Sequence, residues 1–144
     1  MLLFDLLRIA LTRAPKLIEA PLGERIEELC ARLPSLSESE EPSDWLDCTD
    51  YRLESDDYVF HATAKDGVVV AVIHDTDRHR EGGMKRVKKM MHLLKVYAGA
   101  SDFEQILDNG FGFTYRSVDG KRMATYSYAC DVFSVYEADL QKGE

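Results

Sequence analysis

Two Asp-Gly dipeptides, Asp66-Gly67 and Asp119-Gly120, each stand between runs of β-branched and aromatic residues. Asp and Gly tolerate the left-handed backbone that short hairpin loops demand, so this pattern predicts two antiparallel hairpins. Before the first turn, Tyr58, Phe60 and Ala62 alternate with Val59, His61 and Thr63; after it, Val68 to Ile73 is apolar on both faces and reads as an inner strand. Before the second turn come Phe111, Phe113 and Tyr115, and Met123 to Tyr136 returns as a long β-rich stretch. The tyrosines Tyr115, Tyr126, Tyr128 and Tyr136 then read as cross-strand packing before they read as a ligand groove.

Four segments read as helices. Residues 2–14 are apolar around most of a helix, with Asp5, Arg8 and Thr12 as a narrow polar stripe. Leu22, Ile26, Leu29 and Leu33 repeat after Pro21 until Pro34. Met84, Val87, Met91, Leu94 and Ala98 form the clearest stripe, and Asp102 to Leu107 reads as a short fourth helix stopped by Asn109-Gly110. The expected fold is therefore a single α+β domain over residues 1–144. It has N-terminal helices over 1–34, an acidic connection over 35–50 and a hairpin-helix-hairpin body over 51–137. Its antiparallel sheet of four to five strands carries helices mainly on one face. The hairpins also share a 53-residue offset, with Phe60 matching Phe113 and Ala71 matching Ala124, which raises a helix-plus-hairpin duplication as a testable expectation.

The bulk numbers narrow the function classes. At 144 residues the chain has room for one core. A net charge of -8 opposes nucleic-acid binding and bulk attraction to anionic membranes. No stretch approaches the ~20 apolar residues that span a bilayer. Asp5 and Arg8 interrupt the apolar start, against a secretory signal. Three widely spaced cysteines, Cys30, Cys48 and Cys130, suggest a reducing compartment, and the expected location is cytoplasmic. No zinc pattern is visible, so neither a metal nor a cofactor is expected. Cys130 beside Asp131 has no visible histidine partner for a nucleophile.

Chemistry-bearing residues gather after the first hairpin. His74, Asp75, Asp77 and His79 put two imidazoles and two carboxylates within six residues, weak candidates for acid-base or metal chemistry. A polar loop capping the next helix is the plainer reading of the same residues. Arg78, Arg80, Gly82 and Gly83 then lead into the helix at Met84, and such a loop can offer backbone N–H groups to a phosphate. Strand, basic glycine-containing loop and helix resemble the acyl-CoA-dependent N-acetyltransferase superfamily, and the resemblance implies pyrophosphate binding by this loop. It covers about half the chain. The family's loop runs Arg/Gln-x-x-Gly-x-Gly/Ala, whereas here Arg80-x-Gly82 is one residue short and Arg78-x-x-x-Gly82 one long. Nor is there room near 97–101 for the strand that family places between its late helices.

Charge is segregated along the chain. Between Glu38 and Asp57 nine acids face the single base Arg52, while Arg78 to Lys95 holds seven Lys/Arg against Glu81. Such runs are usually solvated faces. The sharper reading is that Lys85, Lys88, His92 and Lys95 meet an acidic surface on the same chain, on a second copy in a homodimer, or on another protein. With no catalytic constellation complete, the leading expectation is a non-enzymatic accessory, immunity-type or inhibitor-type factor that docks on another protein. The alternative is a small-ligand binder or enzyme, acyl-CoA-dependent transferase-like or metal-dependent, centred on residues 74–83.

Overall fold

The computed structural model describes residues 18, 20–55, 59–75, 103–127 and 132–143. Across them runs one eight-stranded antiparallel sheet in the order β1-β2-β3-β4-β8-β7-β6-β5. Its strands are β1 (Ser37–Glu38), β2 (Thr49–Glu54), β3 (Val59–Lys65), β4 (Val68–Asp75), β5 (Phe103–Asp108), β6 (Gly112–Ser117), β7 (Arg122–Ser127) and β8 (Val132–Glu137). One helix, α1 (Ile26–Arg32), accompanies them among the described residues. The expected α+β fold of four to five strands with helices on one face is thus corrected to a nearly all-β one. The helices expected over 2–14 and from Met84 to Ala98 lie outside the described residues.

Local chemistry explains each correction. The helix after Pro21 is only seven residues long because Gly23 takes φ +94 and the amides of Gly23 and Ile26 donate to the carbonyls of Val69 in β4 and Gly67 in the turn before it. Backbone groups bonded to a strand cannot also close a helical turn. The segment read as a helix over 102–107 is β5. Its Phe103, Ile106 and Leu107 mimic helical spacing because the pairing with β6 is irregular between Gln105 and Leu107, which advances the strand by one residue at Ile106. Asn109-Gly110 is a hairpin turn rather than a helix stop: Asn109 Oδ1 accepts from the amides of Phe111 (3.0 Å) and Gly112 (3.2 Å), and Gly110 has φ +82.

The two Asp-Gly turns also differ. Asp66 (φ 53) and Gly67 (φ 76) are both left-handed, as a two-residue primed turn requires. At the second turn only Gly120 is left-handed (φ 74), and Gly120 N–H closes on the Ser117 carbonyl at 2.8 Å. Asp119 accepts from the Ser117 hydroxyl at 2.6 Å and the Lys121 amide at 3.0 Å, which holds this longer loop.

Register then decides which residues face inward. Opposed residues share a face, so the pairings give one continuous row, Leu53–Phe60–His74–Phe133–Tyr126–Phe113. A second row runs Tyr51–Ala62–Val72–Val135–Ala124–Tyr115. Together with Ile26 and Leu29 of α1, these rows form the hydrophobic core. Strand β4 is inner, held by β3 on one side and β8 on the other.

The same register overturns the helix-plus-hairpin duplication. A strand, β2 or β5, precedes each Asp-Gly hairpin directly in the sheet. The meanders β2-β3-β4 and β5-β6-β7 flank β8 with their order reversed, while β4 and β7 are both antiparallel to β8 and so parallel to each other. Phe60 and Phe113 nevertheless face the same side. Such units are mirror-related in layout, and no rotation superposes them with the same side chains inward.

Candidate functional site

The fold brings three groups of chemically notable residues into different settings. His74 lies one residue before the end of β4 in the inward row, fully buried. Its ring packs 5.1 Å from Phe60 and 6.2 Å from Phe133 between centroids. Burial pushes its pKa down to about 3, so the imidazole is neutral near pH 7. With no surface, it is not presented to a solvent-borne substrate. Asp75 closes β4, half-buried, opposite Val132. Asp77, His79, Arg78, Arg80, Gly82, Gly83, Lys85, Lys88, His92 and Lys95 all lie outside the described residues, as do Tyr128 and Cys130.

At the β1 side, the acidic connection is structured. Its Glu38 pairs with Tyr51 in the sheet, and residues 37–44 wall an open groove of about 800 Å³ against β2 and β3. Glu38, Glu40, Glu41, Asp44, Asp50 and Glu54 line it beside Arg52 and His61. Asp50 is held in place, accepting from Thr63 Oγ1 at 2.7 Å and Ser43 Oγ at 2.9 Å. Arg52 pairs with Glu54 at 3.1 Å. Burial first, and Arg52 second, holds His61 below its ordinary value. Among the described residues, no three His, Cys, Asp or Glu side chains are arranged to hold a metal ion. Cys30 and Cys48 are half-buried free thiols, both pushed up by burial, which disfavours the reactive thiolate.

At the opposite side, β5 is the edge of the sheet and five of its six residues are exposed. Ile106 (44% exposed), Leu107 (52%) and, on the turn that follows, Phe111 (77%) present bare apolar surface. Leu107 and Phe111 rim a cavity of about 290 Å³ that Phe113, Tyr126 and Val132 also line. Its wall is built of aromatic pairs: Phe113 stands edge-on to Tyr115 at 5.1 Å and tilted against Tyr126 at 5.4 Å. Gly112 lets β6 and β7 close here, because a Cβ would overlap the Tyr126 carbonyl oxygen. Sequence reasoning took Phe111 for an ordinary strand residue. Its place just after Asn109-Gly110 was the available signal, since a side chain on a hairpin tip has few neighbours to cover it.

Comparisons with known proteins add little. No family model matches the sequence, and no curated protein matches it. Among solved structures, a cysteine-rich secretory protein of Staphylococcus aureus aligns with a TM-score of 0.42 at 8% identity, over 80% of this chain. The chain spans 44% of that protein's length. No helix among the described residues is long and apolar enough to cross a membrane.

Proposed function

We propose that this chain is a non-enzymatic accessory, immunity-type or inhibitor-type protein that docks on another protein through the outer edge of its sheet. The observation that supports this reading is Phe111, exposed on the turn after β5 beside Ile106 and Leu107. Contiguous apolar side chains rimmed by polar ones mark interaction surfaces more often than chance. The adjoining cavity of about 290 Å³ lies at the floor of the ~300–1,000 Å³ range of small-molecule sites. It suits one apolar anchor of a partner better than a cofactor. Docking by side chains is also favoured over strand addition. The irregularity at Ile106 and the carboxylates Glu104 and Asp108 blunt β5 as a pairing edge.

A photoreactive phenylalanine analogue at position 111 tests the reading. A partner captured through it is purified and titrated against the full chain. Phe111→Asp is expected to weaken binding by about 2 kcal/mol, roughly 30-fold, as truncation of an interface anchor does, while the melting temperature stays put. Unchanged affinity in both Phe111→Asp and Leu107→Asp would remove the proposed surface. Capture of a second copy of the chain instead would make the edge a dimer interface.

A further inference from the structure

Beyond β8 the chain does not simply leave the sheet. It attaches to the acidic segment before β2. The Leu46 amide donates to the Gln141 carbonyl at 2.7 Å, and the Gly143 amide to the Asp44 carbonyl at 2.8 Å. Between them Trp45 and Lys142 form a bridge, with the Lys142 ammonium 6.0 Å over the indole. The indole itself rests on Tyr136 of β8 at 5.7 Å.

We propose that residues 140–143 are a detachable strap that fixes the wall of the acidic groove, so that seating or releasing the strap sets the groove's shape. From Gly143 the attachment passes to Asp44, a wall residue of the groove. One residue earlier, Ser43 Oγ accepts from the Trp45 amide at 3.1 Å and donates to Asp50, which in turn holds Thr63. Displacing the strap therefore loosens a run of contacts that ends on the groove floor.

The strap detaches because its grip is shallow. Leu140 is half-buried and its amide donates back to the Glu137 carbonyl, but Gln141, Lys142 and Gly143 are all exposed, and they hold the acidic segment by two backbone hydrogen bonds and a cation–π contact. Strand β8, by contrast, is laddered on both sides, with six registered pairs to β7 and five to β4. Segments held so unequally open at different free energies. The strap also ties the end of β8 to the segment before β2, in addition to the β4–β8 ladder and the hydrogen bond from Arg122 to the Leu22 carbonyl.

The test compares the full chain with a variant ending at Asp139 and with Gly143→Pro, which removes the amide that donates to Asp44 and leaves the Gln141 carbonyl in place. Hydrogen exchange at Leu46 and acrylamide quenching of Trp45, the single tryptophan, report the segment that continues the wall beyond Asp44. Amides of β4 and β8 report the sheet. Leu46 is expected to exchange roughly tenfold faster or more in both variants, with Trp45 more quenched and the inner strands as protected as before. Two results overturn the proposal. Unchanged Leu46 and Trp45 would mean that the wall stands without the strap. Inner-strand amides that speed up in step with Leu46 would mean that the segment is an inseparable part of the sheet.

Discussion

Replacing His74 with phenylalanine is expected to remove most of the acid sensitivity of this fold. The folded protein holds His74 neutral with a pKa of about 3, against an ordinary value of 6.5. Below 6.5 the unfolded chain takes up a proton that the folded chain refuses. Stability is therefore full above about pH 6.5 and is lost as pH falls toward about 3. At 1.36 kcal/mol per unit, the loss is on the order of 3 kcal/mol at pH 4.5 and on the order of 5 kcal/mol below pH 3. For a domain whose whole stability is ~5–15 kcal/mol, that can decide whether it folds. Phenylalanine keeps a ring between Phe60 and Phe133 but has nothing to protonate. Urea unfolding at pH 7 and pH 4.5 should show a drop on the order of 3 kcal/mol in the parent and a fraction of it in the variant. Among the described residues His61, whose pKa burial also lowers, adds to the remainder, while Glu137, raised by burial, titrates with the opposite sign. Equal drops in parent and variant would mean that His74 is not buried as described.

Phe60→Ala and Phe111→Ala should differ sharply despite deleting the same side chain. Phe60 is fully buried in the inward row between Leu53 and His74. Its truncation leaves a cavity at the centre of the sheet and should cost ~3–5 kcal/mol, lowering the melting temperature by roughly 10–20 °C. Phe111 is mostly exposed, so its truncation should stay within about 0.5 kcal/mol. Calorimetry on the two variants separates a phenylalanine kept for packing from one available for docking. A large loss at Phe111 would place that ring in the core and remove it from the docking surface.

What could be read from the residues was local. Asp66-Gly67 announced its hairpin because both positions need left-handed backbone, and no other element uses that pair so well. Asn109-Gly110 carries the same signal, but it follows β5, a bulged edge strand whose exposed acids hide the alternation expected of strands. The β4–β8 ladder joins residues about sixty apart, and no local pattern encodes that pairing. His74 shows the consequence. Its polarity suggested chemistry in a loop, whereas a register set by distant β8 turns it between two phenylalanines. The acids over 38–54 were visible as charge, but their role as a groove wall depends on Trp45 meeting Tyr136 and on the strap behind it.

Both the buried His74 and the exposed Phe111 follow from one arrangement, the eight-strand order with β8 beside β4 and β5 at the edge. Cross-strand backbone nuclear Overhauser effects test it most directly. The order predicts contacts between His74 and Phe133 and between Gln105 and Tyr115, with extended couplings over 103–108. Sequential amide–amide contacts typical of a helix over 103–108, together with no His74–Phe133 contact, would contradict it.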